Sequence, residues 1–299
     1  DVWRKENREV HKFLRAIGFS DITKKDLEMI LDEVITRPEI MKITKDSEGN
    51  EFAELSGSFA ANAGITVRGT YQEDDSFHMD YYYPYVFGTS ITTNEQIDVE
   101  KHAEKESYAG VCDEVNLGVT LIFYIQNVAD YLAETNRHLS KIHYGAMLAG
   151  LSTEGKILCP VVERKKNDVP AIQKNDRHNQ LIAQAREGDE DAIESLTLED
   201  MDTYALLSQR VMKEDIFSIV KSTFMPFGIE SDQYTVLGEI IDCVTMENKL
   251  THEKLYGMKL LCNNIQFDVC INEKDLLGEP AIGRRFRGNV WMQGNLCLE

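Results

Sequence analysis

The sequence predicts an α+β fold: a mostly antiparallel N-terminal sheet with helices, a helical middle segment and a small C-terminal antiparallel β-barrel. Three observations support this. Apolar residues repeat at helical spacing near the N-terminus, the repeat changes to two between Glu51 and Phe87, and short strands return after Gly228. We expect an α+β domain over residues 1–165, a linker and helical segment over 166–228, and a barrel domain over 229–299.

Two helices are predicted at the start of the chain. Residues 10–17 place apolar side chains at helical spacing, and Gly18 supplies a C-terminal stop. Thr23 and Asp26 form a capping-box-like pair in front of a second apolar stripe, which ends before Pro38.

Strands follow in the stretches "FAELSGSFAANAGITVRGTY" (52–71) and "FHMDYYYPYVFG" (77–88). The first is predicted to form two strands around a turn of small residues, and the second a single alternating strand. Alternation predicts a buried aromatic face opposite an exposed polar face, although the run of tyrosines also fits a wet cleft or an interface. The predicted buried face consists of Phe77, Met79, Tyr81, Tyr83, Tyr85 and Phe87, and the exposed face of His78, Asp80, Tyr82, Pro84 and Val86.

Further strands are predicted over 107–113 and 117–125, with a helix from Val128. The stretch "IHYGAMLAGLSTEGKILCPVV" (142–162) is predicted to be a hairpin that turns at Thr153-Glu154-Gly155.

Four short antiparallel strands are predicted after the middle segment. Three span 234–244, 255–262 and 265–271, and the fourth contains Arg284–Arg287. Asn263-Asn264 fits a tight hairpin, because Asn tolerates the positive φ that such turns need. Four strands in about 65 residues are typical of a small barrel, of which the OB-like barrel is one form.

Composition and charge limit the classes of partner. The 299 residues include 51 acids and 32 bases, a formal net charge of −19. Residues 174–233 alone hold 13 acids against 6 bases. Such a charge repels nucleic acid and anionic membrane at long range, so we expect a protein or small-molecule partner and no membrane.

The cysteines indicate the compartment. The chain has six, without a C-x-x-C pair, and most lie in apolar or strand-like stretches. No run of 18 apolar residues occurs, and residues 1–10 lack the apolar stretch of a secretion signal. We therefore expect reduced thiols in a cytoplasmic protein.

The strongest candidate site is the group Arg285, Arg287 and Trp291. On a strand these side chains point the same way, and such a face could hold phosphate and stack a base or sugar. The favoured alternative is that both arginines pair with carboxylates of the neighbouring acidic segment, because Arg readily forms bidentate carboxylate pairs.

His78, Asp80 and Tyr82 are further candidate ligand contacts. His78 and Asp80 lie two residues apart, which suits a metal or a base with its orienting carboxylate. The favoured interpretation is an exposed polar face, because a catalytic or metal site needs a third group that spacing alone does not supply.

No catalytic residue, cofactor or metal site is predicted. The chain has no H-E-x-x-H, P-loop, G-x-G-x-x-G or G-x-S-x-G sequence, and the acidic run 187–202 does not follow the EF-hand pattern. Our leading hypothesis is a non-catalytic cytoplasmic module that binds a protein or ligand. The alternatives are an enzyme with an unrecognised site in the inter-domain cleft, and weak single-stranded nucleic-acid binding by the barrel.

Three stretches resemble a known family: "HKFLRAIGFS" (11–20), "GDEDAIESLTLEDMDTYALLSQRV" (188–211) and "GEPAIGRRFRGNVWMQG" (278–294). They are similar to a bacterial, mainly clostridial family of about 300 residues known as a domain of unknown function. The resemblance implies no activity and no functional residues. The resemblance leaves two interpretations of residues 1–10. In the first, translation starts at a GTG codon read as Val10, so that the preceding residues are an upstream extension outside the fold; in the second, these residues are a genuine extension of the first helix.

Overall fold

The computed structural model describes residues 10–101, 106–136, 145–160, 220–229 and 231–298, with Gln184, Asp189 and Ser195 as single residues. The chain forms two compact units, one of residues 1–158 and 222–299 and the other of residues 159–221. The predicted linker and helical segment therefore lies mostly outside the described residues, as does the acidic run 187–202. The helices and strands with described bounds all lie in the first unit.

The described helices begin and end close to where the sequence predicts. A 3-10 helix spans Lys12–Ile17 and stops at Gly18, whose φ of 93° is left-handed. Helix α1 spans Lys24–Thr36, with the Thr23 hydroxyl accepting from the backbone N–H of Asp26 at 3.2 Å. Helix α2 spans Val128–Asn136. No helix among the described residues is long and apolar enough to cross a membrane.

The described strands form two sheets, which confirms a sheet-rich α+β fold. In chain order they are β1 Ile40–Lys45, β2 Glu51–Ala60, β3 Ala63–Tyr71, β4 Phe77–Val86, β5 Asp98–Lys101, β6 Tyr108–Glu114, β7 Val119–Ile125, β8 Gly145–Leu158, β9 Thr223–Pro226, β10 Gln233–Glu247, β11 Lys254–Cys262, β12 Ile265–Asn272, β13 Leu276–Leu277 and β14 Arg285–Cys297. Strands β1–β4 pair antiparallel, in order, as a four-stranded sheet.

The second sheet closes into the small barrel that the sequence predicts. Strands β8, β12, β11, β10 and β14 pair in that order, and β14 pairs back onto β8. All of these pairings are antiparallel except β12 with β8. The tight β11–β12 turn is confirmed, because Asn263 and Asn264 have φ values of 46° and 67°. Beyond β14 the sheet continues through β7 and β6 to β5.

The predicted hairpin at Thr153-Glu154-Gly155 is wrong, because β8 continues as one strand through these residues. Its register against β14 shifts there, so that Thr153 is the extra residue of a β-bulge. Gly155 faces Gly288 across the pair, and a Cβ on either residue would overlap the Phe286 ring. Glycine at position 155 is therefore explained by the space that the Phe286 ring occupies and not by a turn.

The predicted faces of β4 are also wrong. Tyr82 and Val86 of the predicted exposed face are buried, and a second bulge interrupts the alternation. Arg68 on β3 pairs with Tyr81 and Gly69 pairs with Met79, which leaves Asp80 unpaired. Residues directly opposite each other share a face of the sheet. Tyr81 and Tyr83 therefore lie on the same face as Arg68, whereas Met79 lies on the other.

That other face of the four-stranded sheet packs against α1. Leu27, Leu31 and Val34 of α1 share one apolar core with Leu55 of β2 and Val67 of β3. Four even-numbered residues in the middle of β2 and β3 point away from α1 and form a buried polar layer, which is unusual in a protein interior. This layer consists of Glu54, Ser56, Thr66 and Arg68.

Candidate functional site

Arg68 is fully buried at the centre of the polar layer, and its guanidinium donors are all used. Nε donates to Glu54 Oε1 at 2.7 Å, and Nη1 donates to the hydroxyls of Tyr81 and Tyr124 at 2.9 and 2.7 Å. Nη2 donates to the carbonyl oxygens of residues 125 and 126 at 3.0 and 2.8 Å. A buried charge is tolerated only when it is paired and hydrogen-bonded in this way.

Three tyrosine rings surround the guanidinium group. Its central carbon lies 4.9 Å from the Tyr83 ring centroid, 5.3 Å from that of Tyr124 and 5.8 Å from that of Tyr81. Burial alone lowers the pKa of Arg68, but the nearby tyrosines and Glu54 hold it above its ordinary value. The tyrosine run of β4 is thus explained in part by a buried cation.

Glu54 connects this ion pair to α2. Its Oε1 lies 2.6 Å from Arg68 Nη2, and its Oε2 accepts from the backbone N–H of Ala129 at 2.8 Å. Ala129 lies in the first turn of α2, where backbone N–H groups lack partners within the helix and negative charge is stabilising. One carboxylate therefore neutralises Arg68 and caps a helix.

A cavity of about 320 Å³ adjoins the polar layer; we call it the Thr66 cavity. Its walls come from the four-stranded sheet, the β7–α2 connection and the ends of β8 and β14. The polar lining residues are Lys42, Glu54, Ser56, Thr66, Tyr83, Gln126, Asn127, Asp130 and Asn295, and the apolar ones are Ile40, Phe87, Met147 and Leu296. Its size lies at the lower end of the range for small-molecule sites.

Some polar groups in this cavity are committed to the protein and others are not. The hydroxyls of Ser56 and Thr66 lie 2.8 Å apart and bond to each other, and the Asn127 amide makes two hydrogen bonds to the backbone of Leu296. No residue in the described part of the chain forms a hydrogen bond with the side-chain amide of Asn295. This amide can therefore donate and accept towards the cavity.

The Lys42–Asp130 pair lies at the exposed part of the lining. Lys42 Nζ is 2.6 Å from Asp130 Oδ2, with side chains 41% and 37% exposed. The pair joins β1 to α2. Because both groups are exposed, it contributes little to the stability of the fold.

Two glutamines join β4 to β14 beside the cavity. Gln293 donates to the Pro84 carbonyl at 2.9 Å, and Gln126 donates to Gln293 Oε1 at 2.8 Å and to the Val86 carbonyl at 2.9 Å. Gln126 Oε1 is the one buried side-chain oxygen without a partner among the described residues. Leaving such an acceptor unpaired costs about 1–3 kcal/mol.

The predicted group Arg285, Arg287 and Trp291 is divided between different surroundings. Arg285 is 5% exposed, and both arginines have interaction partners. Arg287 lines a separate cavity of about 380 Å³ together with Glu154, Lys156 and other residues. Phe286 between them is fully buried in the barrel core.

Trp291 and Tyr82 both contact His11. The Trp291 ring lies 5.1 Å from that of His11 and stacks on Phe13, and its Nε1 donates to Asp232 Oδ2 at 2.7 Å. The Tyr82 hydroxyl accepts from the His11 backbone N–H at 2.9 Å. Burial, with Lys12 as a smaller cause, lowers the pKa of His11 to about 4, so the imidazole is neutral at pH 7.

His78 and Asp80 lie apart from both cavities. His78 Nε2 is 4.0 Å from Asp80 Oδ1, and the His78 side chain is 63% exposed. Neither residue lines the Thr66 cavity or the Arg287 cavity. No cluster of three or more potential metal ligands is found in the described parts of the chain.

Sequence reasoning missed Arg68 and Glu54. One signal was available, since Arg68 is the only Lys or Arg between Lys45 and Lys101 and lies in the apolar strand "GITVRGTY". A lone cation in a buried strand predicts a nearby carboxylate, and Glu54 lies on the preceding strand. The Tyr124 and Gln126 contacts have no such local signal.

The comparisons with known proteins identify a family. Searches of curated proteins and of solved structures found no match. A family of sequences described as "Domain of unknown function, E. rectale Gene description (DUF3881)" matches residues 14–294, which confirms the resemblance seen in three stretches of the chain. This match covers nearly the whole sequence, and the chain therefore belongs to the DUF3881 family.

Proposed function

We propose that this protein is a non-catalytic binding module and that the Thr66 cavity holds its small-molecule ligand. The observation that carries the proposal is the convergence of polar side chains on one cavity, with the Asn295 amide left for a ligand. Small-molecule sites combine apolar wall with polar groups that fix the orientation of the ligand, and this cavity offers both, with polar residues in the majority.

The titratable groups of the cavity support binding rather than catalysis. Glu54 is bonded to Arg68 and to Ala129, and Asp130 is paired with Lys42. No His or Cys occurs among the residues that line the cavity. A general acid or base must be able to exchange a proton with the substrate, and these carboxylates already serve other partners.

A cytoplasmic location forms part of the proposal. Cys112, Cys243, Cys262 and Cys270 are free thiols, and all of these but Cys243 are buried. Unpaired thiols in this number are typical of proteins from a reducing compartment. Two alternatives stay predictions from the sequence: an active site between domains, and nucleic-acid binding by the barrel.

The test is retention of a ligand by wild-type protein and by two matched variants. Ser56→Leu fills the cavity, whereas Ser58→Leu makes the same change on the same strand and face outside the cavity lining. Each protein is incubated with a small-molecule extract of the native host cells, desalted and examined by native mass spectrometry. We expect a bound mass on wild type and Ser58→Leu that is absent from Ser56→Leu.

A result that contradicts the proposal is an unliganded wild type, or a ligand that Ser56→Leu retains equally. Circular dichroism checks that both variants are folded. Should Ser56→Leu unfold, Thr66→Val replaces it, because this variant keeps the side-chain volume and removes one cavity hydroxyl; we then expect weaker retention than in wild type.

A further inference from the structure

We propose that the ligand of the Thr66 cavity is an uncharged molecule that both donates and accepts hydrogen bonds, such as a carboxamide. This inference rests on the proposed function and adds the chemical class of the ligand. Its basis is the set of charges that surround the cavity and the partners that already neutralise them.

An anion finds no unpaired cation among the described residues that line this cavity. The one strong cation behind its wall is Arg68, whose donors are committed to Glu54, to tyrosine hydroxyls and to two backbone carbonyls. Lys42 is held by Asp130 at 2.6 Å. The carboxylates of Glu54 and Asp130 also line the cavity and repel a negative ligand.

A cation finds no unpaired carboxylate among the described residues that line the cavity. Glu54 Oε1 accepts from Arg68, and Glu54 Oε2 accepts from the backbone of Ala129. Asp130 is neutralised by Lys42. A bound ammonium group would lose its hydration without gaining an unpaired carboxylate, and burying such a charge is strongly unfavourable.

A neutral polar group, by contrast, meets complementary partners. The Asn295 amide offers a donor and an acceptor, and the oxygens of Ser56 and Thr66 retain lone pairs beyond their mutual bond. Phe87, Met147 and Leu296 supply apolar wall for the rest of the ligand. A ring that carries one amide satisfies both kinds of surface.

The test uses matched triplets in which one ring carries a carboxamide, a carboxylate or an aminomethyl group. The first triplet is benzamide, benzoate and benzylamine, followed by the corresponding pyridine and cyclohexane compounds. Binding to the 299-residue protein at pH 7 is measured by ligand-observed NMR, with Ser56→Leu as the cavity-filled variant and Ser58→Leu as its matched control.

We expect the carboxamide to bind wild type and Ser58→Leu at least about tenfold more tightly than either charged member, because the charged groups lose hydration without compensation. We expect its binding to be lost in Ser56→Leu. Equal or tighter cavity-dependent binding of the carboxylates or amines overturns this inference while leaving the proposed function intact. The absence of cavity-dependent binding by every compound overturns both.

Discussion

Arg68 is the residue whose surroundings explain most of the polar interior. It is fully buried, yet its hydrogen bonds reach β2, β4, β7 and the start of the β7–α2 connection. Glu54 extends the same network to α2. A single ion pair therefore links the four-stranded sheet to the strands that continue from the barrel.

Replacing Arg68 should be strongly destabilising. Arg68→Met leaves the Glu54 carboxylate buried without its cation, and we expect the free energy of unfolding to fall by about 3–5 kcal/mol. The control is Lys254→Met, which breaks an ion pair with Glu273 in which the side chains are 45% and 48% exposed, and its loss should be far smaller. Urea unfolding followed by circular dichroism measures both. Equal losses in the two variants would show that the buried pair has no special role.

The buried cysteines should resist alkylation in the native protein. Burial raises the pKa of Cys112, Cys262 and Cys270 from an ordinary 9.0 to about 12, so these thiols stay protonated at pH 8. We expect iodoacetamide to label exposed Cys159 first. Peptide mass spectrometry gives the order, and early labelling of Cys270 would contradict the account.

The same raised pKa values make stability depend on pH. As the pH rises from 9 towards 12, these three thiols ionise in the unfolded chain but not in the folded one, so the free energy of unfolding falls.

At the scale of elements, β8 and β14 depend on glycines that accommodate Phe286. A Cβ at Gly155 would overlap the Phe286 ring, so we expect Gly155→Ala to lower the free energy of unfolding by about 1–3 kcal/mol. Adding Phe286→Leu removes the overlapping atoms, and the double variant should lose less than the sum of the two single losses. Additive losses in urea unfolding would argue against this contact.

The sequence predicts elements whose determinants are local. Thr23 caps α1, Gly18 ends the first helix and Asn263-Asn264 turns between β11 and β12, each through the conformation of a few adjacent residues. The two errors, at Thr153 and at Asp80, have a common cause. Both are β-bulges. A bulge depends on the register between two paired strands, and the sequence of one strand does not determine that register.

At the scale of the whole molecule, the barrel depends on a strand from before the second unit. β8 (145–158) pairs with both β12 and β14 and closes the ring. We therefore expect a fragment of residues 229–299 to remain unfolded, because its β12 and β14 would have no common partner. Circular dichroism of this fragment, alone and with the β8 segment joined to it by a flexible linker, tests the dependence. A cooperative unfolding transition of the fragment alone would contradict it.

The candidate site was not predictable for a related reason. Its lining residues come from all four strands of the first sheet, the β7–α2 connection, the start of α2 and the ends of β8 and β14, so residues 42 and 295 meet only in the folded chain. Composition identified the excess of tyrosines but not the cation that they surround. The predicted arginines, Arg285 and Arg287, do not line the Thr66 cavity, and Arg287 lines a different one.

The most direct test of the central claim, that the Thr66 cavity is a binding site, is a crystal structure of the full chain soaked with benzamide. We predict electron density for the carboxamide within hydrogen-bonding distance of the Asn295 side chain, with the ring against Phe87 and Met147. The Arg68–Glu54 pair should be unchanged by the soak. A cavity filled by the protein's own side chains, with benzamide absent at saturating concentration, would contradict the account.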